Sequence, residues 1–238
     1  MKVTKYKREL EFSYSLGAFP TIELINNHPN DVIAIYIHSS FNNENVISLI
    51  EEKITSSKIF QDDKVFDKLN EKGNTYIIGI FNKYKNELEK NVDHVILDNI
   101  SNMGNLGTII RSSLGFGIKN IALIGNNIDY LDPKVIRASM GAIFKMNIVR
   151  FETLDDYLKN HKNHIYPFML KSKFSLDSVE FAKEPSSLVF GNESSGLDET
   201  IYSKFDSIVI KHTNDIDSLN ITNATSIALY EFYKQRRA

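Results

Sequence analysis

The chain has 238 residues, 42% apolar and 24% charged, a balance that supports a folded protein with a sizeable core and leaves little room for a long disordered tail. It contains no cysteine, which excludes a disulfide framework, thiolate zinc sites and cysteine nucleophiles. The formal net charge is −2 and is balanced in both halves, so no global field announces a nucleic-acid partner.

The basic residues near the ends, Lys2, Lys5, Lys7 and Arg8 and then Lys234, Arg236 and Arg237, fit solvated decoration as well as they fit RNA contact. No apolar run follows the N-terminal lysines, so neither a signal peptide nor a membrane anchor is expected, and the expected location is cytoplasmic. The six histidines lack tight metal spacing and read as surface or packing residues, so no metal is expected.

In chain order, residues 15–25 read as a helix, 32–38 as a strand, and 44–56 as a helix with Val46, Leu49, Ile50 and Ile54 on its apolar face. Asp62 or Asp63 caps a short helix bearing Val65, Phe66 and Leu69, and 76–81 reads as a buried strand bounded by Gly73 and Asn74. Residues 82–91 are polar and carry no core-forming period, which places a domain boundary there, with a first domain at 1–88 and a second at 91–238.

Beyond the boundary, a strand at 95–97, a glycine-bearing turn, a helix at 108–114 and a strand at 121–124 make a βαβ unit, hence a parallel sheet. Asp132 and Pro133 open a helix through Phe144, with Asp132 as cap and Pro133 where its missing N–H costs nothing. Two apolar strands follow at 187–190 and 208–210, and the chain ends in a helix over 222–234 with Ala224, Ile227, Ala228 and Phe232 on or near one face.

Three segments stand out. Residues 97–111 carry Asn102, Asn105, Gly104 and Gly107 between a strand and a helix, where α/β folds place ligands, and Arg111 sits on the first turns of that helix, away from Leu106, Ile109, Ile110 and Leu114. The pair Gly104 and Gly107 lacks the full dinucleotide fingerprint, which argues against a nicotinamide site. The second segment runs a buried strand into Gly191, Asn192, Glu193 and Gly196; a plain helix cap accounts for Glu193 about as well as function does. The third follows 208–210 with Ser218, Leu219, Asn220 and Thr222, where Asn220 and Thr222 compete for a helix cap. Each segment lies at the C-terminal end of a strand, and that shared position is what makes the set informative.

Together they resemble the SpoU/TrmH branch of the SPOUT methyltransferases. The family's first motif, Asn, then Gly two positions on, then Arg four further, is matched by Asn105, Gly107 and Arg111; Gly-x-Glu-x-x-Gly by Gly191, Glu193 and Gly196; and Ser-Leu-Asn before a helix by Ser218, Leu219 and Asn220. The stretch 137–144 is similar to the family's Ser-x-Gly-Ala-x-Phe segment, and residues from Tyr14 to the strand at Val32 resemble, more loosely, the substrate-binding domain often found upstream. Asn102-Met103 stands where Asp-Pro is frequent, Lys211 where Pro is frequent, and Thr222-Asn223 where Ser-Val is usual.

The resemblance implies an α/β fold whose mostly parallel sheet carries a C-terminal trefoil knot with flanking helices, preceded by a smaller α/β RNA substrate-binding domain. It implies methyl transfer from S-adenosylmethionine to a ribose 2′-hydroxyl of tRNA or rRNA, and a homodimer formed through the knotted domain. Gly191, Ile210 and Leu219, with Asn192, would lie against the cofactor. Arg111 would act on the hydroxyl or a neighbouring phosphate, as base or as electrostatic stabiliser; since a guanidinium holds its proton to above about 12, stabilisation is the preferred role. Asn105 would orient Arg111, Glu193 would brace the first-motif loop, and Ser218 and Asn220 would contact substrate, cofactor or both. The competing readings are a non-catalytic RNA-binding or ribosome-assembly factor of the same fold, and a SPOUT enzyme that methylates a base.

Overall fold

The computed structural model describes residues 3–69, 74–126 and 128–237. Two units emerge from it, Met1–Lys85 with Asp129–Lys145, and Asn86–Ile128 with Met146–Ala238. The break at Lys85 falls inside the polar stretch 82–91. Residues 129–145, which the sequence places within the second domain, pack in the first unit.

In the first unit, β1 (Phe12–Leu16) leads into α1 (Ala18–Asn27), followed by β2 (Val32–Ile37), α2 (Glu44–Lys53), β3 (Ile59–Phe60), α3 (Asp63–Leu69) and β4 (Ile77–Asn82). The sheet order is β1-β4-β2-β3, with β4 antiparallel to both neighbours and β2 parallel to β3. Only the first two residues of the helix expected over 15–25 are strand: Ser15 and Leu16 pair with Gly79 and Ile78, and Gly17, at φ 104°, turns the chain into α1. Ser13, Tyr14 and Ser15, buried in a row, belong to a strand that the apolar period of the following helix had masked. Gly79 permits α1 to close on β4, since a Cβ there would stand 2.8 Å from Ser15 Oγ and 2.9 Å from Thr21 Cγ2. The expected turn residue Gly73 lies outside the described residues.

The second unit begins with β5 (His94–Asp98), α4 (Met103–Gly115) and β6 (Asn120–Ile124). The chain then passes into the first unit, where Asp132 accepts from Lys134 N at 2.8 Å and opens α5 (Pro133–Ala138). That helix stops six residues short of Phe144. Met140 takes a left-handed φ of 53°, Gly141 N bonds Ile136 O at 3.1 Å and Met140 N bonds Arg137 O at 3.0 Å, the pair of bonds that closes a Schellman cap.

Back in the second unit come β7 (Asn147–Phe151), α6 (Leu154–Asn160), β8 (His164–Pro167), β9 (Phe174–Ser175), β10 (Ser186–Phe190), α7 (Glu199–Tyr202), β11 (Ile208–Val209) and α8 (Ile221–Arg237). The five-stranded sheet has the order β7-β6-β5-β10-β8 and is parallel throughout. Its central strands β5, β6 and β10 are buried at all five positions, as continuous apolar runs demand when helices cover both faces. Ile96, Val189, Ile165 and Tyr157 meet in one core cluster, each such apolar side chain contributing about 1.5–3 kcal/mol by leaving water.

Strand order reverses between β5 and β10: β5 is followed by β6 on one side, while β10 is reached from the β8 side. Loops leaving the carboxyl ends of β5 and β10 therefore diverge from one point, which in open α/β sheets forms a crevice. A short second ladder, β9 with β11, joins through Phe168, whose N–H bonds Val189 O at 2.9 Å and which bridges Ile208.

Candidate active site

The loop after β5 is held by polar side chains rather than by glycines. Asn99 adopts φ 54°, and Asn102 caps α4, its side chain accepting from Asn105 N at 3.0 Å. The helix thus begins at Met103, five residues before the expected start, and both Gly104 and Gly107 lie inside it. Gly117 at φ 84° ends it, with Ile118 N bonded to Ser113 O at 2.9 Å. Arg111 is consequently in the third turn of α4, not the first. It is exposed and makes no ion pair or side-chain hydrogen bond among the described residues.

The loop after β10 closes on itself: Asn192 and Gly196 exchange backbone hydrogen bonds at 3.1 and 3.0 Å, and Gly196 takes φ 68°. A Cβ on Gly191 would lie 2.2 Å from the Gly196 carbonyl carbon, so only glycine lets this turn form. Asn192 Nδ2 donates to Asn99 O at 2.8 Å, while its Oδ1 accepts from Ser194 and Ser195.

Glu193 joins the two loops. Its Oε2 accepts from Ser101 Oγ at 2.9 Å and Ser101 N at 3.3 Å, and its Oε1 from Asn102 N and from Asn105 Nδ2, both at 3.2 Å. Partial burial alone raises the pKa of this carboxyl, but hydrogen bonds from its own N–H, Asn105, Ser101 and Asn102 outweigh that and hold it below the usual glutamate range. The residue is an ionised clamp whose lone pairs are already engaged.

The third segment brings Ile210, Ser218 and Leu219 against the second. Together with Gly191, Asn192 and Glu193 they line one cleft of 220 Å³. Phe168, stacked on Phe190 at 4.8 Å and 15°, forms an apolar wall, and Met169 and Leu170 form the rim. These three residues escaped the sequence reading, along with Ser101 and the cleft-lining His212. The apolar run 165–170 was the signal for the first three, and the position of His212 two residues past Ile210 for the last. Asn220 caps α8, accepting from Thr222 N at 2.8 Å and Thr222 Oγ1 at 2.7 Å, which decides the competition between these two side chains. Neither Asn220 nor Arg111 is among the residues lining the cleft.

α8 buries Ile221, Thr225, Ala228, Leu229 and Phe232, whereas Ile227, expected on that face, is 43% exposed. It packs on α4, with Ser112 Oγ 3.0 Å from Ser226 Oγ. Each of the C-terminal cations has a partner within the chain: Arg236 pairs with Asp93 at 3.1 Å, Lys234 with Glu231 at 3.2 Å, and the Arg237 guanidinium stacks 4.3 Å from the centre of Tyr233.

The loops leaving β8, β10 and β11 line one cleft at the carboxyl ends of a parallel α/β sheet, with the β5 loop fastened beside it by Glu193, which is where such sheets bind ligands. Residues 93–230 match the model of the SpoU rRNA Methylase family, more than half of the chain, and the chain belongs to that family. It is 30% identical over 150 residues to the 23S rRNA (uridine(2479)-2'-O)-methyltransferase of Streptomyces viridochromogenes, which covers 60% of this chain and 52% of that protein. It is 27% identical over 139 residues to the 23S rRNA (guanosine(2553)-2'-O)-methyltransferase RlmP of Bacillus subtilis (strain 168), covering 57% of this chain and 56% of that one. The chain spans about half the length of the curated relatives it matches. Its fold is similar to that of the SpoU methyltransferase AviRb from Streptomyces viridochromogenes, solved with the cofactor AdoMet: TM-score 0.82, 19% identity, 95% of this chain and 91% of that one.

Proposed function

We propose that the protein transfers a methyl group from S-adenosylmethionine to a ribose 2′-hydroxyl of ribosomal or transfer RNA, the two substrates that the relatives' names carry. The observation that carries this reading is the Glu193 clamp, which joins the first-motif loop to a cleft that Gly191, Ile210 and Leu219 also line. The two named relatives differ in the base at the modified position and share the 2'-O, so what is common to them is the sugar.

The residues present suit the cofactor. An adenosyl group calls for apolar walls with backbone polar edges, and the Phe168–Phe190 stack, Ile210 and Leu219 supply the walls. The Gly191 turn has no room for a side chain, so backbone atoms form that edge of the cleft. The Glu193 carboxylate suits a positively charged sulfonium, which, when bound, supplies the activated methyl group. In this reading Gly191, Asn192, Ile210 and Leu219 hold the cofactor, Ser218 and Asn220 orient the ribose, Asn105 and Glu193 shape the loop, and Arg111 holds the adjacent phosphate. The 2′-hydroxyl is also the group that lets such a protein tell RNA from DNA.

The same reading assigns RNA recognition to the first unit, a knot to the chain around β10 and β11, and a homodimer to α8. Ile227 and Tyr230, 43% and 57% exposed on that helix, support the dimer, and light scattering tests it. Among the described residues no helix is long and apolar enough to cross a membrane, which is compatible with a cytoplasmic site of action. One observation favours the non-catalytic alternative, the position of Arg111 outside the lining of the cleft. A single assay separates the readings: total RNA from a strain lacking this gene, incubated with the protein and tritiated S-adenosylmethionine, should yield a 2′-O-methylnucleoside on digestion and mass spectrometry. Label on a base, or no label, would overturn the assignment.

A further inference from the structure

One end of the first unit's sheet gathers several rings that its core does not use. β1 and β2 both run antiparallel to β4, so their ends lie beside its start. One step beyond the ladder, His38 N bonds Tyr76 O at 2.9 Å, and Phe41 N bonds His38 O at 2.9 Å. That turn brings the Phe41 ring to 6.4 Å from Tyr76 at 26°, while the His38 ring meets Tyr76 edge-on at 5.7 Å. On the β1 side, Gly17 N bonds Ile77 O at 2.9 Å and the chain turns into α1, whose second residue, Phe19, is 70% exposed.

The last turn of α5 closes on the same end. A Cβ at Gly141 would stand 2.8 Å from Pro20 Cα, so the left-handed turn that carries Met140 rests against the first turn of α1. Arg137 Nη2 donates to Asn74 Oδ1 at 2.8 Å, two residues before Tyr76. Tyr76 and Met140 are exposed like Phe19, and Phe41 is half-buried. A single exposed apolar residue is ordinary, but these come from separate chain segments to one end of a sheet, which marks a contact surface.

The chemistry of that surface selects its occupant. Flat rings with an amide and a guanidinium at their edge suit an unpaired nucleobase and its phosphate, since bases stack on Phe and Tyr wherever single-stranded RNA leaves them unstacked. Tyr76 is braced by Phe41 and His38, so little side-chain freedom is lost when a base arrives. Arg137 forms no ion pair among the described residues, and the first turn of α1 carries no acidic side chain, so a phosphate meets an uncompensated cation. Asp63, 3.9 Å from His38 Nε2, is engaged by Ser39 N and Oγ and keeps the phosphate track on the Arg137 side.

We propose that this end of the first unit is a stacking platform for unpaired bases of the substrate RNA, with Tyr76 and Phe19 meeting bases and Arg137 a neighbouring phosphate. The inference rests on the RNA reading given above and adds where and how the first unit grips its substrate. Stacking does not read the sugar, so the platform takes single-stranded DNA as readily as RNA, and the choice of RNA falls to the ribose at the cleft. Duplex RNA, whose bases are already stacked, is a poor ligand.

The test measures filter binding and methyl transfer with the full chain. Phe19→Leu and Tyr76→Leu keep apolar bulk and remove the ring, and each should weaken affinity for total RNA of a strain lacking the gene roughly 5–100-fold. Tyr76→Phe should bind within about twofold of wild type, and at saturating RNA the single-turnover rate of every variant should stay within about twofold as well. Arg137→Ala should lower the slope of log affinity against log salt by roughly 0.7, the share of one single-strand phosphate. The chain has no tryptophan, so Tyr76→Trp supplies one reporter, whose fluorescence a short oligoadenylate should quench and duplex RNA should not. Phe19 is mostly exposed, so its replacement leaves the core intact and keeps the test sound if a Tyr76 variant misfolds. Leucine variants that bind RNA as the wild type does overturn the proposal alone. Variants that hold free RNA normally but no longer sediment with ribosomes make the surface a protein contact, which overturns it too. A wild-type protein that binds RNA but methylates no ribose overturns the underlying reading, and one that binds no RNA overturns both.

Discussion

Asn105 Nδ2 stands 3.2 Å from Glu193 Oε1, a hydrogen bond across 88 residues of sequence that fastens the first turn of α4 to the loop leaving β10. The same carboxylate takes Ser101 and Asn102, so the geometry of one motif depends on a side chain in another. Replacing Glu193 by Ala strands four donors on three residues, of which the Ser101 hydroxyl can turn to water. We expect a loss of about 1–2 kcal/mol in urea unfolding and a weaker affinity for S-adenosylmethionine. The folded pKa of Glu193 is depressed, so its stabilisation is present above the unfolded value near 4.3 and disappears as pH falls through the folded one. The difference between wild type and Glu193→Ala should therefore shrink below about pH 4; a constant difference from pH 7 to pH 3 would count against the clamp.

Two glycines should respond in opposite directions. A Cβ at Gly191 meets the Gly196 carbonyl carbon at 2.2 Å and Leu197 N at 2.5 Å, and backbone atoms cannot step aside. Gly191→Ala should cost about 1–3 kcal/mol or more and abolish cofactor binding in calorimetry. Gly115, the last residue of α4, has nothing within 4 Å of its Cβ position, so Gly115→Ala should raise stability by about 0.5–1 kcal/mol. Thermal melts of the two variants moving the same way would contradict this.

How much of this could be read in the sequence follows from how each element is buried. β5, β6 and β10 are apolar at nearly every position because helices cover both faces, and such runs are legible without partners. β7 and β8 are the sheet's two edges; Arg150 interrupts one and Pro167 ends the other, so neither shows a clean run. The early start of α4 was hidden by Gly104 and Gly107, which favour a turn until Asn102 is known to cap the helix. Nothing local reports that 129–145 packs in the first unit: the bonds that do so, Ser13 Oγ to Leu131 O at 2.5 Å and Lys83 to Asp129 at 3.1 Å, are long-range. The cleft residues Gly191, Ile210 and Leu219 were expected from the family resemblance of the motifs that carry them, and they line one cleft. Phe168 was not, because an edge strand precedes it. Arg111 was placed by motif spacing, yet at 3.6 residues per turn it lies about 120° around α4 from Asn105, a phase that spacing alone does not convey.

His94 is buried at the start of β5, bonded to Tyr157 Oη at 2.7 Å and to Glu89 O at 2.9 Å. Burial depresses its pKa to about 4, the Glu89 carbonyl opposing weakly and His161 reinforcing the depression. Below pH 6.5 the unfolded chain binds a proton that the folded chain refuses, so stability falls as pH drops from about 6.5 to about 4 and this contribution is then exhausted. The loss should approach about 3 kcal/mol, with His161, also depressed by burial, adding in the same direction. Urea unfolding between pH 7.5 and pH 4 checks it; a stability independent of pH across that window would show His94 to be accessible to protons.

Arg236 fastens the last turn of α8 to the start of β10. Its guanidinium pairs with Asp93 at 3.1 Å, reaches Ser186 Oγ at 3.2 Å, donates to the carbonyls of Lys183 and Glu184, and lies 4.9 Å from the Phe232 ring centre. Asp93 in turn accepts from Ser186 N at 2.8 Å. Arg236→Ala should cost about 2–4 kcal/mol, because it leaves Asp93 and two carbonyls without their cation. Affinity for RNA, measured by filter binding on the folded variant, should change little. A variant of wild-type stability with weakened RNA binding would restore Arg236 to a nucleic-acid surface.

Arg111 gives the reverse expectation. It is exposed on α4 and has no side-chain partner among the described residues, so Arg111→Ala should leave the unfolding free energy within about 0.5 kcal/mol of wild type. If it holds a substrate phosphate, methyl transfer should nonetheless drop roughly 10²–10³-fold, the usual cost of removing a charge-stabilising donor. Lysine keeps the charge and loses the planar fork that engages two phosphate oxygens, so Arg111→Lys should fall between the two. Single-turnover transfer to RNA for all three proteins, with stability measured alongside, decides the matter: equal rates would remove Arg111 from the site, whereas a lysine variant as inactive as alanine would mean that bidentate geometry, more than charge, is what the reaction needs.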